Sequence, residues 1–169
     1  LTNPQWQKNV IPNIPGEEFK TEQEPLKILG KVTNSGILNF EDLVIDATCT
    51  RVPIIDGHTA VVHASFKNDI PDLHSIKKIW TEFSADPQDL DLPLAPKKPI
   101  IYLDEADRPQ PKLDRDVEKG MAVSLGRLRK DTFFDIRFVG LSHNTIRGAA
   151  GGAILAAELL MKKGYISGA

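Results

Sequence analysis

Two β-rich runs, residues 43–52 and 58–67, constrain the fold of this chain more than any other feature of its sequence. β-Branched and aromatic residues dominate both runs, and the second run alternates strictly, so that successive side chains point to opposite faces. Residues 53–57 form a short connection between them. The sequence therefore predicts a strand-turn-strand element over residues 46–62.

An arginine and a histidine, Arg51 and His58, lie on either side of this turn. A guanidinium group can hold a carboxylate through two parallel hydrogen bonds, and an imidazole changes charge near neutral pH. The pair therefore suits a small anionic substrate whose reaction needs a proton moved. Taken singly, each residue also has a simpler interpretation: His58 as a structural or surface histidine, and Arg51 as a partner in a strand-end salt bridge.

The composition is that of an ordinary globular protein. A chain of 169 residues with 41% hydrophobic and 26% charged residues can bury one substantial core, so we expect one domain. No apolar run is long enough to span a bilayer. The net charge of -2 and the pI near 6.1 provide no basic surface for nucleic acid. These values argue against membrane and nucleic-acid partners.

A single cysteine, Cys49, excludes an internal disulfide and favours a reducing compartment, so we expect a cytoplasmic protein. The chain begins with Leu1 rather than methionine, which indicates a processed chain or a segment of a longer one. Its acidic cluster Asp104, Glu105 and Asp107 lacks the ligand spacing and central glycine of a calcium loop. We therefore expect no metal site.

The remaining elements are predicted from periodicity. Apolar residues three and four positions apart predict helices, and short β-rich runs predict strands. In chain order we first expect a helix over 17–29 that Pro25 kinks or splits, and then a helix following Pro71 that covers one sheet face. A long connection over 84–119 should follow and enclose a strand at 100–103. The strands 122–128 and 132–141 should form a hairpin with a turn at 129–131.

The final predicted helix, residues 142–161, is rich in glycine at its start. Ser142 or Asn144 is the expected N-cap, and His143 and Asn144 are most simply capping residues. Each interior glycine costs about 1 kcal/mol of helix propensity relative to alanine, so something needs close approach to this segment. A cofactor, another backbone or a neighbouring helix would each explain it.

Four segments of the chain form an ordered set of motifs: Asn9-Val-Ile-Pro12, Gly16-Glu17-Glu-Phe-Lys20, Arg51-Val-Pro-Ile-Ile-Asp-Gly-His58 and Phe138-Val-Gly-Leu-Ser-His-Asn144-Thr-Ile-Arg-Gly-Ala-Ala-Gly-Gly152. This set resembles the aspartate-β-semialdehyde dehydrogenase family, in particular its fungal and archaeal branch, over about residues 9–166. The resemblance implies an NADPH-dependent, reversible reductive dephosphorylation of β-aspartyl phosphate to L-aspartate 4-semialdehyde. The reaction belongs to the aspartate pathway of lysine, threonine, methionine and isoleucine biosynthesis.

The resemblance also implies roles for five residues. His58 corresponds to the general acid/base, and Arg51 to the guanidinium that binds the α-carboxylate of the substrate. Glu17 corresponds to the acid that receives the α-amino group, and Lys20 to the cation that binds phosphate. Asn144 corresponds to an amide side chain near the nicotinamide carboxamide of NADP. Without the resemblance, Glu17 and Lys20 form an ordinary ion pair three residues apart on a helix.

Two parts of the family pattern are missing from the sequence. The nucleophilic cysteine of the family lies in a Ser-Asn-Cys-like segment, and NADP is bound mainly by a Rossmann-type domain; this chain contains neither. Cys49 precedes Arg51 where the family has no catalytic group, although strand alternation puts both on one face. Because the nucleophile segment and the NADP-binding domain are missing, we expect the chain alone to be inactive. We expect the complete enzyme to which it belongs to bind aspartate semialdehyde and phosphate.

The implied fold is α/β (α+β), like the catalytic domain of glyceraldehyde-3-phosphate dehydrogenase. It comprises a mixed, largely antiparallel sheet with helices on one face, plus a C-terminal helix. We expect a catalytic and dimerisation domain over residues 1–141, and a helix over 142–169 that packs on the NADP-binding domain in the complete family. Without that domain, we expect the helix to expose apolar surface, fray or find another partner. A homodimer is expected.

Two alternatives remain open at this point. The chain could be a non-catalytic dimerisation module whose site residues are idle. Cys49 and His58 could also form the dyad of a cysteine-dependent hydrolase, and fast alkylation of Cys49 at neutral pH would indicate this.

Overall fold

The computed structural model describes residues 8–167 of the chain. These residues divide into two compact units, one ending at Ile55 and the other beginning at Asp56. The first unit holds one helix and a small hairpin, and the second holds the main sheet with its helices. The division into a domain over 1–141 and a helix over 142–169 stays a prediction.

Helix α1, Glu17–Ile28, is the main element of the first unit. Gly16 precedes it with a φ of 80°, and the acidic Glu17 and Glu18 occupy its first turn, where the helix dipole favours negative charge. Pro25 lies inside the helix, which continues beyond it. The predicted start is therefore confirmed, and of the two outcomes expected at Pro25, a kink or a split, the split does not occur.

A small hairpin follows α1 and was not predicted. Strands β1, Lys31–Thr33, and β2, Gly36–Leu38, pair antiparallel. Their turn is held by the Thr33 hydroxyl, which donates to the Gly36 carbonyl at 2.8 Å. Strands of three residues are too short to show the alternation from which strands are predicted.

The strand predicted over residues 43–52 is wrong. Among the residues that the structure describes, this segment forms no strand, and its ladder-type pairing is a single antiparallel bridge from Arg51 to Ile11 with N–O distances of 2.8 and 2.9 Å. Carboxylates from α1 bind two of its backbone N–H groups: Glu22 accepts from Ala47 at 3.1 Å and Glu18 from Cys49 at 3.0 Å. Helix side chains thus occupy donors that a strand ladder would have used.

The second unit is built on a four-stranded sheet. Its strands are β3 (His58–Ala64), β4 (Ile100–Leu103), β5 (Val123–Lys130) and β6 (Ile136–Ser142). The spatial order is β3, β6, β5, β4, with β4 and β5 parallel and the other pairs antiparallel. This mixed, largely antiparallel sheet confirms the expected fold class. The second strand of the predicted strand-turn-strand element, residues 58–67, is confirmed as β3, which pairs with β6, whereas residues 43–52 form no strand.

The β5–β6 hairpin is confirmed, but its turn lies later than predicted, over residues 131–135. A bulge after Gly126 shifts the register of β5, and Arg127 adopts a φ of 58° there. Beyond β5, the Asp131 carboxylate accepts hydrogen bonds from the backbone N–H groups of Phe133 at 2.9 Å and Phe134 at 3.2 Å. The extra residue in the bulge therefore lengthens β5, and Asp131 closes the turn.

Helix α2, Leu73–Glu82, covers one face of the sheet, as predicted. Asp72 caps its start by accepting a backbone N–H hydrogen bond at 3.0 Å. The Trp80 ring lies 5.0 Å from Phe138 on β6 and 6.2 Å from Tyr102 on β4, measured between centroids. The buried apolar side chains of the second unit include Ile76, Leu92, Met121, Ala122, Leu125, Ile136 and Leu141.

The long connection over 84–119 encloses β4, as expected, but it is more ordered than the sequence indicated. It also contains helices α3 (Asp86–Asp89) and α4 (Pro111–Asp114) and a 3-10 turn (Val117–Gly120). The Arg108 carbonyl oxygen would lie 2.5 Å from a Cβ added to Gly126, so part of this connection packs against β5. Glycine at this position permits the close approach.

A buried ion pair holds this connection together. The Asp114 side chain is 0% exposed and accepts hydrogen bonds from Arg108 Nε at 2.7 Å and from the Gln110 backbone N–H at 2.6 Å. The Arg108 guanidinium keeps the pKa of the Asp114 carboxyl below its usual range. The carboxylate is therefore ionised at neutral pH and fully enclosed by its partners.

Candidate functional site

Two of the predicted site residues, His58 and Asn144, meet at one end of the sheet in the second unit. His58 is the first residue of β3 and pairs with Ser142, the last residue of β6. Asn144 follows two positions later, and its Oδ1 atom accepts a hydrogen bond from the Gly57 backbone N–H at 3.0 Å. The His58 side chain is exposed. The end of β3 therefore presents an accessible imidazole next to a backbone that Asn144 holds.

Gly57, directly before His58, is buried and has a φ of 117°. A Cβ added there would lie 3.1 Å from Leu141 Cδ1 and 3.4 Å from Pro111 Cβ. Residues that carry a side chain rarely adopt this backbone conformation, and a side chain at this position would also lack space. Only glycine fits this position without strain, and Gly57 thus allows the backbone to turn into β3. Sequence reasoning used this glycine only as part of a motif.

The predicted capping role of His143 at the start of the final helical segment is confirmed, while the predicted N-caps Ser142 and Asn144 are wrong. Ser142 belongs to β6, and the Asn144 oxygen is bonded to Gly57. The His143 side chain is 6% exposed, and its Nδ1 atom accepts from the Ile146 backbone N–H at 3.3 Å. An accepting Nδ1 places the proton of the neutral ring on Nε2.

Gly151 at the start of the final helix serves close packing within the second unit. A π-helical turn, Ile146–Ala150, leads into helix α5, Gly151–Lys162. Gly151 is buried, and an added Cβ would lie 2.5 Å from Met121 Sδ and 2.9 Å from the Ile146 carbonyl oxygen. Among the explanations that the sequence left open, close approach to neighbouring protein atoms accounts for Gly151.

Helix α5 packs against the 86–96 segment on one side and exposes apolar side chains on another. The Leu94 backbone N–H donates to Glu158 at 3.0 Å, and Lys163 forms an ion pair with Asp86. The exposed apolar residues of this helix and its C-terminal extension are Ile154, Leu160, Met161, Tyr165 and Ile166. The expectation that this helix exposes apolar surface is confirmed.

The three predicted substrate-binding residues lie in the first unit. Lys20 Nζ and Glu17 Oε1 are 3.2 Å apart on α1, and both side chains are largely exposed. Arg51 is half-buried, and its backbone is held in the bridge to Ile11. The structure therefore brings Glu17 and Lys20 together as the i,i+3 pair that their spacing predicts.

Cys49 has the environment of a structural residue. It is half-buried, and its Sγ atom lies 3.7 Å from Thr21 Oγ1 while its backbone N–H donates to Glu18. Neither contact supplies the cationic partner that activates a nucleophilic thiol. The hydrolase dyad of Cys49 and His58 thus gains no support from the surroundings of the cysteine.

Residues 8–167 contain neither a metal-binding cluster nor a membrane-spanning helix. This part of the chain contains no cluster of three or more His, Cys, Asp or Glu side chains that could hold a metal ion. None of its helices has the length and apolar character needed to cross a bilayer.

Comparison with known proteins gives a consistent result. The family described as "Semialdehyde dehydrogenase, dimerisation domain" matches residues 1–147. Aspartate-semialdehyde dehydrogenase from Archaeoglobus fulgidus is 48% identical over 158 residues, covering 94% of this chain and 44% of the relative. The enzyme from Aspergillus fumigatus is 48% identical over 165 residues, covering 94% of this chain and 45% of the relative.

The solved structures agree with the sequence comparison. The crystal structure of aspartate semialdehyde dehydrogenase with NADP from Candida albicans superimposes with a TM-score of 0.86 at 42% identity, covering 95% of this chain and 46% of that one. This chain thus spans about half the length of the relatives that it matches. The likeness to archaeal and fungal enzymes confirms the branch expected from the motifs. The chain belongs to the aspartate-semialdehyde dehydrogenase family, and it corresponds to the dimerisation-domain portion of those enzymes.

Proposed function

We propose that this chain supplies the substrate-binding and proton-transferring part of an aspartate-semialdehyde dehydrogenase. The reaction is the reversible, NADPH-dependent reductive dephosphorylation of β-aspartyl phosphate to L-aspartate 4-semialdehyde. The observation that carries the proposal is the 48% identity to relatives of that name across 94% of the chain. The exposed imidazole of His58 at the end of β3 supports it, because a general acid/base must be within reach of its substrate.

The charges of the first unit fit an amino-acid substrate with an acyl phosphate. Arg51 binds the α-carboxylate, for which a planar guanidinium is better suited than a lysine ammonium. Glu17 receives the α-amino group and Lys20 binds phosphate. Their ion pair is exposed, and exposed pairs contribute only about 0–1 kcal/mol. A substrate with both charges can therefore separate the pair at little cost.

Asn144 is the residue that we propose contacts NADP. Asn144 Oδ1 accepts a hydrogen bond from the Gly57 backbone N–H, and its NH₂ group can donate to a carboxamide oxygen of the nicotinamide. When bound, NADPH supplies the hydride. The rest of the cofactor is held by residues that this sequence does not contain, and α5 packs on them.

A chimera tests the proposal directly. The matching segment of the Archaeoglobus fulgidus enzyme is replaced by this chain, and phosphate-dependent NADP reduction with aspartate semialdehyde is measured. We expect turnover by the chimera and none by this chain alone. His58→Gln should lower kcat of the chimera about 10²- to 10⁴-fold, because proton transfer is lost. Arg51→Lys should raise KM for aspartate semialdehyde.

His74→Gln is the matched control, since His74 is an exposed histidine in the first turn of α2. It should leave the kinetics of the chimera unchanged. A chimera in which His58→Gln turns over as fast as the parent would contradict the proposed role of His58. Turnover by the isolated chain would contradict the proposal that the nucleophile lies elsewhere.

We also propose that the chain forms a homodimer in a reducing, cytoplasmic environment. The description of the matching family as a dimerisation domain supports the dimer, as does Val61, which is 68% exposed on the edge strand β3. The same description keeps a purely dimerising module as the second candidate. Sedimentation velocity tests the dimer, and an inactive but dimeric chimera would favour the second candidate.

A further inference from the structure

We propose that Asn144 is a positioning residue, which sets the orientation of His58 through the backbone N–H of Gly57. This role is separate from cofactor contact, and it rests on the proposed function of His58. It begins from one contact between atoms 87 positions apart in the chain, the 3.0 Å hydrogen bond from Gly57 N to Asn144 Oδ1.

The chemistry of the contact determines which way the Asn144 amide points. A backbone N–H can be met only by an acceptor, so Oδ1 and not Nδ2 faces Gly57. Gly57 is buried, and it precedes the ladder in which His58 pairs with Ser142. Without Asn144 this N–H would be a buried donor with no partner in the ladder, which is unfavourable.

Several contacts of His143 anchor the segment that carries Asn144. Its neighbour His143 is buried, accepts from the Ile146 N–H through the ring and from the Gly148 N–H through its carbonyl oxygen at 3.0 Å. The His143 ring also lies against Gly120, where an added Cβ would be 3.1 Å from His143 Cδ2. The start of the final helical segment is therefore anchored, and Asn144 transmits that anchoring to the residue before His58.

The orientation of the amide has a consequence for the ligand. Because Oδ1 is held toward Gly57, the two N–H donors of Nδ2 remain available to a ligand. A hydrogen-bond acceptor, such as a carbonyl oxygen, fits these donors. The same side chain thus positions the base and presents donors to a neighbouring acceptor group.

Two substitutions separate these functions. Asn144→Asp keeps an oxygen that accepts from Gly57 N–H but removes the donors, and Asn144→Ala removes both. Amide hydrogen exchange of Gly57 in this chain, followed by NMR, should be about tenfold or more faster in Asn144→Ala. In Asn144→Asp it should stay within about threefold of the unmodified chain, because an oxygen acceptor retains the bond. The imidazole Cε1–H resonance of His58 should shift in Asn144→Ala.

Thr145→Ala controls for disturbance of the helical start, since Thr145 is the exposed next residue and its partner is His143, not Gly57. It should leave Gly57 exchange unchanged. Unchanged exchange of the Leu141 amide on β6 shows that a variant remains folded. Equal Gly57 exchange in Asn144→Ala and the unmodified chain, or equally fast exchange in both Asn144 variants, would overturn the proposal.

An activity measurement distinguishes this inference from the proposed function. In the chimera, Asn144→Ala should lower kcat at saturating NADP about tenfold, and the same substitution should speed the amide exchange of Gly57. If amide exchange of Gly57 becomes faster and kcat stays the same, the proposal that Asn144 positions His58 is wrong. If His58→Gln has no effect while Gly57 exchange follows the prediction, the contact stands and the proposed role of His58 fails.

Discussion

Replacement of Asp114 by asparagine should strongly destabilise the second unit. The carboxylate is 0% exposed, while the Arg108 side chain that it neutralises is 24% exposed. Asparagine has nearly the same volume and still offers one oxygen to the Gln110 N–H, but it leaves the guanidinium without its counter-charge. Removing one partner of a fully buried pair costs about 3–5 kcal/mol. Partial exposure of Arg108 reduces the expected loss to about 2–3 kcal/mol.

Urea unfolding followed by far-UV circular dichroism measures this loss. With an m-value of about 2 kcal/mol/M, a loss of about 2–3 kcal/mol lowers the midpoint by roughly 1–1.5 M. Asp104→Asn is the control, because Asp104 is 76% exposed and its ion pair with Lys77 lies on the surface. The control should lose less than about 1 kcal/mol. Equal losses for the two variants would refute the reasoning.

The pH dependence provides a second check on Asp114. Its pKa is lowered in the folded chain, chiefly by Arg108, so the unfolded chain binds the proton more tightly. The stabilisation is therefore complete above the unfolded pKa of about 3.9 and is lost as the pH falls through the lowered folded pKa. The difference in stability between the unmodified chain and Asp114→Asn should shrink below about pH 4. A difference that stays constant on acidification would contradict this account.

Three further predictions use the same unfolding assay. Trp80→Ala should cost about 3 kcal/mol, because the ring packs on two aromatic rings of the sheet, whereas the neighbouring Ile79→Ala, at 62% exposure, should cost less than about 1 kcal/mol. Gly126→Ala should cost about 1–3 kcal/mol because its Cβ would meet a backbone oxygen at 2.5 Å, and Gly140→Ala should cost less because its nearest contact is a side chain at 3.2 Å. Ile154→Lys on α5, where the side chain is 54% exposed, should change stability by less than about 0.5 kcal/mol and reduce binding of a hydrophobic dye.

Elements with a strong local signal were predicted well from the sequence. The helix Leu73–Glu82 and the strand Ile100–Leu103 were expected close to where they lie, because side-chain periodicity and turn residues act over a few positions. The segment 43–52 shows the limit of such reasoning. It has the composition of a strand, but Glu18 and Glu22 bind its backbone, and that competition arises between residues about 25 to 31 positions apart.

The candidate site was predicted as a set of residues rather than as an arrangement. The motifs identified His58, Arg51, Glu17, Lys20 and Asn144, and the spacing on a helix was enough to predict the pairing of Glu17 with Lys20. The bond of Asn144 to Gly57 and the enclosure of Asp114 were not predictable in detail. Both depend on which segments pack against each other, and local pattern does not carry that information.

The sequence by itself determined the family, the residue types of the candidate site and the strand-rich character of the second unit. These properties reside in residue identity and short-range order. Only the tertiary structure decided that β3 pairs with β6 and that the Asn144 oxygen holds Gly57. The physical reason is that a hydrogen bond depends on the positions of two atoms in space. Residues 57 and 144 come within 3.0 Å only after the chain between them has folded into a sheet.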